Sequence, residues 1–89
     1  MAKYKVLLSR KAQNYYKRSD ADTKKRLKEC LGNLERRPGD WRHLPTKRLR
    51  GRLSGLWAYR AGDLRVIYQI NEDARAVNVV TIGPRGDVY

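Results

Sequence analysis

The amino-acid sequence predicts an α+β fold in the order β-α-α-β-β-β, with a two-helix hairpin on one face of a mainly antiparallel sheet. Apolar residues recur with helical period before residue 40 and with period two after residue 55, and short turn-type segments separate the later runs. Two helices in succession can cover one sheet face and leave the other available.

Residues 4–8 (Tyr-Lys-Val-Leu-Leu) form a short β-prone run, read as the first strand. Ser9 can cap a helix over residues 10–17, with Ala12, Tyr15 and Tyr16 on its apolar side. Ser19 or Asp20 then caps a longer helix whose stripe is Leu27, Cys30, Leu31 and Leu34, and residues 37–40 (Arg-Pro-Gly-Asp) end it. Residues 41–52 are read as a loop. Residues 55–60, 64–70 and 76–82 alternate and read as a three-strand meander joined at residues 61–63 and 71–74. Along the middle run Leu64, Val66, Tyr68 and Ile70 share the face expected to meet the helices. Arg65, Ile67 and Gln69 share the other.

Size and charge narrow the function. A chain of 89 residues buries roughly 64% of its unfolded surface, enough for a single small domain over residues 1–89. No apolar run nears the ~20 residues of a membrane span, and residues 1–10 lack a secretory apolar stretch, so a soluble, cytoplasmic protein is expected. The single Cys and single His make neither an intrachain disulfide nor an ordinary zinc site. Asp20, Asp22, Glu29 and Glu35 are spread along the helices without converging, so neither metal nor cofactor is implied.

Net charge is +12, from 21 Lys and Arg against 9 Asp and Glu. Such an excess repels itself and suits a polyanionic partner. Residues 41–60 carry six bases and no acid, which makes Arg42, Lys47, Arg48, Arg50 and Arg52 candidate RNA- or ribosome-binding residues, with a merely solvated loop as the competing reading. Trp41, Trp57, Tyr15 and Tyr16 can stack on bases, although packing is the commoner fate of such residues. Cys30 lies on the apolar stripe and reads as an inert buried thiol.

On the open face, Arg65 stands on a middle strand between apolar neighbours, where an unpartnered charge is costly and an anion is called for. Arg60 and Arg85 end the flanking segments, so all three guanidiniums are expected to converge on one concavity. Their planar forked donors suit phosphate. Ion pairs from Arg60 to Asp63 and from Arg85 to Asp87 are the alternative.

Residues 49–51 (Leu-Arg-Gly), 59–68 (Tyr-Arg-Ala-Gly-Asp-Leu-Arg-Val-Ile-Tyr) and 82–89 (Ile-Gly-Pro-Arg-Gly-Asp-Val-Tyr) resemble the RelE family of bacterial and archaeal toxins. The strand motif is shared with ParE-type toxins. The resemblance implies a RelE-like fold and the toxin of a type II toxin–antitoxin system, held by an acidic, RelB-like antitoxin. It further implies an mRNA interferase, a metal-independent endoribonuclease that enters the 30S A site of the ribosome and cleaves messenger there. Carried over by position, Arg65, Arg85, Tyr89 and Arg60 are the catalytic candidates. Ala58 departs from the family pattern at a usually basic position, and Arg48, Arg50 or Arg52 is offered as a replacement charge.

RNA cleavage by its own 2′-hydroxyl needs in-line alignment, a proton acceptor and stabilisation of the phosphorane charge. His43 stands alone outside the motif, which leaves Arg65 and Arg85 for the scissile phosphate, Arg60 for the leaving group and Tyr89 as proton acceptor. A phenol near pKa 10 serves only if cations favour its phenolate, and a terminal aromatic packed on the sheet is the competing role for Tyr89. Two other functions share the scaffold: a ParE-like inhibitor of DNA gyrase, and a degenerate member that binds ribosome or RNA with weak cleavage.

Overall fold

The computed structural model describes residues 3–84. Strand β1 (Lys5–Leu8) leads into α1 (Arg10–Arg18), where the Ser9 side chain accepts from the Ala12 backbone N–H. Helix α2 (Ala21–Arg36) starts at Asp20, whose carboxylate accepts from the Thr23 N–H and is held below the usual carboxylate range by that bond. The predicted stripe faces inward: Leu27, Cys30 and Leu34 are buried, and Leu31 packs beside them.

Four further strands follow, β2 (Thr46–Arg48), β3 (Trp57–Ala61), β4 (Leu64–Asn71) and β5 (Ala76–Pro84). The expected order is therefore corrected to β-α-α-β-β-β-β, because the basic segment read as a loop contributes β2 and a 3₁₀ turn at Gly51–Leu53. A three-residue strand of Thr-Lys-Arg carries no alternation of its own; pairing with β3 makes it a strand. The sheet order is β1-β5-β4-β3-β2, with β1 parallel to β5 and every other pair antiparallel.

Gly62 and Asp63 form the two-residue turn between β3 and β4. Gly62 has φ +64°, a left-handed conformation that favours glycine, and the Arg26 guanidinium lies over it, 3.0 Å from where a Cβ would stand.

The helices cover the predicted face. Leu64, Val66 and Tyr68 join Tyr59, Ala61, Val77, Val79, Ile82, Ala12, Leu27, Cys30 and Leu34 in one core, with Ile70, Tyr15 and Tyr16 packed against it. On β5 the spacing of inward residues jumps from Val79 to Ile82, because the register slips between Ile67↔Thr81 and Tyr68↔Val79. Val80 is the extra residue of this bulge, and its carbonyl accepts from the Ser9 hydroxyl at 2.6 Å. The bulge sends Thr81 to the open face and Ile82 to the core.

Candidate functional site

The open face of the sheet is built from alternation alone. Arg60 on β3 and Arg65 on β4 are direct cross-strand partners. Directly opposed side chains start about 4.5–5.5 Å apart at Cβ, and like charges so placed destabilise a sheet unless an anion joins them. Among the described residues neither arginine makes an ion pair, Asp63 included. Arg60 is exposed; Arg65 is half-buried and donates from its guanidinium to the Leu64 carbonyl at 3.2 Å.

Beside them Ala58, Ile67 and Thr81 run in register across β3, β4 and β5, all buried. The Thr81 hydroxyl is buried with no hydrogen-bond partner among the described residues. Nothing in the sequence marked it, since its orientation depends on the bulge.

Lys47 on β2 pairs with Ala58 and lines the same hollow of about 350 Å³, together with Trp41, Leu44, Pro45, Thr46, Arg60 and Arg65. Lys47 is thus the cation that stands directly opposite Ala58 on the neighbouring strand. Arg48, one residue on, has the opposite parity and its guanidinium sits 5.7 Å from the centre of the Trp57 ring. Arg50 lines an adjoining hollow with Lys47, Arg48 and Gly51. Arg52 is exposed on the 3₁₀ turn, and Arg42 stacks over Trp41 at 5.2 Å. Arg85 and Tyr89 lie outside the described residues, so the structure brings together Arg60, Arg65 and Lys47 from the expected set.

The aromatic candidates divide. Trp57 stacks on Tyr68 at 6.3 Å and Tyr15 and Tyr16 pack against the core, whereas Trp41 is 62% exposed. His43, the single histidine, is turned to the Asp40 carboxylate at 3.0 Å. Burial pushes the Cys30 thiol far up, with Glu29 adding to the shift, so it stays protonated and unreactive. Among the described residues no group of three or more His, Cys, Asp or Glu gathers at one point, and no helix is long and apolar enough to cross a membrane.

Comparison with known proteins places this geometry. The fold matches a RelBE2 toxin–antitoxin complex of Mycobacterium tuberculosis with TM-score 0.80 and 24% identity, over 94% of this chain and 100% of that one. It matches the archaeal RelE–RelB complex of Pyrococcus horikoshii with TM-score 0.79 and 26% identity, over 93% and 96% of the two chains. A YoeB/ParE toxin from Agrobacterium tumefaciens superposes with TM-score 0.76 at 17% identity, over 91% of this chain and 98% of that one, a likeness of fold alone. No curated protein matches the sequence. The family model for the ParE toxin of the type II toxin–antitoxin system parDE matches residues 6–89, nearly the whole chain, and that span includes both arginine strands and the bulged β5. The chain therefore belongs to the ParE toxin family of type II toxin–antitoxin systems, within the RelE/ParE superfamily.

Proposed function

We propose that this toxin is a ribosome-dependent mRNA endoribonuclease, cleaving in the 30S A site without a metal and silenced by an acidic antitoxin. The observation that carries the reading is the Arg60–Arg65 cross-strand pair, set over a hollow with Lys47 and unneutralised by any described acid. A phosphate bridging the two opposed guanidiniums relieves their repulsion, and in the silenced state a carboxylate of the acidic antitoxin would take its place.

In this mechanism the 2′-oxygen attacks phosphorus, the 5′-oxygen leaves, and a 2′,3′-cyclic phosphate forms. Arg65 and Arg60 stabilise the added negative charge on the phosphorane, with Lys47 beside them. Arg85 is assigned to the same phosphate and Tyr89 to the 2′-hydroxyl proton on sequence grounds, the departing 5′-oxygen being protonated on the Arg60 side. The ribosome aligns the codon, which relieves so small a chain of building its own substrate cleft. The antitoxin reading is supported by the similarity to the RelBE2 and RelE–RelB complexes.

The gyrase-inhibitor reading is favoured by the ParE description of the matching family and by the alanine at position 58. Purified protein added to programmed ribosomes, with messenger 5′ ends mapped by primer extension, and to a gyrase supercoiling reaction, decides between them. New ends within the A-site codon are expected, falling about 10²–10³-fold in rate in Arg65→Ala, the loss typical of one transition-state donor. Arg65→Lys should recover little, because an ammonium lacks the fork. Intact messenger with blocked supercoiling overturns the nuclease reading.

A further inference from the structure

The wall of the hollow opposite the arginines is an indole that the fold leaves in water. Trp41 is 62% exposed, more than Leu7 (45%) or Val80 (43%), the other exposed large hydrophobic residues among those described. It lines the hollow of Arg60 and Arg65 and also the adjoining one of about 890 Å³ formed with Lys47, Arg48, Arg50 and Trp57. Thr46 and Lys47 are also common to both, so the two hollows adjoin along Trp41, Thr46 and Lys47.

The ring is held out deliberately by its backbone. The Trp41 N–H donates to the Gly39 carbonyl at 2.9 Å, and the Asp40 carbonyl accepts from the N–H groups of His43 and Leu44. The Asp40 carboxylate ties Arg37 and His43 together, and beneath the loop the Tyr68 hydroxyl donates to the Pro38 carbonyl at 2.6 Å. Gly39 lies against Trp57 and Ile70, where a Cβ would meet them at 3.7–3.8 Å. An exposed aromatic on an ordered loop, with cations on either side and no acid in residues 41–60, is the arrangement that takes single strands: cations follow the phosphates and the ring takes a base.

We propose that Trp41 is a base-stacking platform for single-stranded RNA, seating the nucleobase next to the phosphate held by Arg60 and Arg65. This assignment rests on the nuclease reading above and names how that site grips its substrate. Paired RNA is refused, because its bases are already stacked and inaccessible. Every base has a π-face, so Trp41 positions the strand more than it selects a base.

The test titrates the purified protein with a short single-stranded RNA and with an abasic oligomer of equal length and charge, read by tryptophan fluorescence and by direct binding. RNA should quench the parent and leave Trp41→Ala, which keeps only Trp57, unquenched. That variant should lose roughly 5- to 150-fold in RNA affinity, the range of one lost stack, with abasic affinity unmoved and Trp41→Phe restoring most of the loss. Equal RNA binding by Trp41→Ala and the parent, or equal losses for RNA and abasic oligomer, overturns the platform. If Trp41→Ala also cuts messenger on ribosomes with unchanged KM, the platform fails while the nuclease reading stands. A parent that neither cuts messenger nor binds RNA, but whose Trp41 is quenched by an antitoxin or gyrase, sinks both.

Discussion

Arg65 and Tyr68 belong to one short motif yet do opposite work, because an offset of three along a strand places them on opposite faces. Arg65 reaches the open face. Tyr68 is fully buried, with burial pushing its hydroxyl far up, opposed by a hydrogen bond with Thr46. That hydroxyl joins three segments, since it donates to the Pro38 carbonyl and accepts from the Thr46 hydroxyl, whose oxygen also lies 3.1 Å from the Ala58 carbonyl. Tyr68→Phe leaves the Pro38 carbonyl and the Thr46 hydroxyl short of a partner, at a cost of about 1–3 kcal/mol. Thermal melting should fall by about 4–8 °C per kcal/mol, and a Tm equal to the parent's would show the network to be idle. Of the site, the sequence made Arg60 and Arg65 legible by parity and a shared turn. It did not reveal that Lys47 stands opposite Ala58, because that depends on which residue of β2 faces which residue of β3.

At the scale of elements, the segment between α2 and β2 is expected to respond to acid. The His43 ring beside Asp40, with Arg37 on its other side, holds the Asp40 carboxyl below the usual carboxylate range. Folding is thus favoured by the ionised form. The contribution is complete above the ordinary carboxylate range and is lost as pH falls through the lowered value. Acidification should release residues 38–45 before the sheet, seen as faster amide exchange there and a more mobile Trp41 fluorescence. In Asp40→Asn the local opening should already be present at neutral pH and should no longer follow acid. Uniform acid opening of loop and sheet together would contradict this. The bulge at Val80 is an element-level device of the same kind: one inserted residue, braced by Ser9, decides that Thr81 and not Ile82 faces the arginines.

For the whole molecule the decisive quantity is net charge +12 on 89 residues, concentrated away from the C-terminal third. With Arg60 and Arg65 sharing one phosphate and Lys47 on a second, binding would release counterions from a single strand, giving a slope of log K against log salt of about −1.4. Replacing Arg60 and Arg65 together by Ala should flatten that slope by about 0.7, whereas Trp41→Ala should weaken binding with the slope unchanged. A titration at several salt concentrations checks both. The opposite behaviour would exchange the roles of arginine and tryptophan.

Local pattern determined the helices, their caps and stripe, the three long strands, and the face on which each side chain of β4 stands. These follow from periods of 3.6 and 2 and need no knowledge of distant residues. What only the tertiary structure decided is non-local: β1 paired in parallel beside β5, β2 formed from residues with no strand pattern, the slip at Val80, and an indole kept in water. Each depends on a partner far away along the chain, and sequence period is silent about which partner that will be.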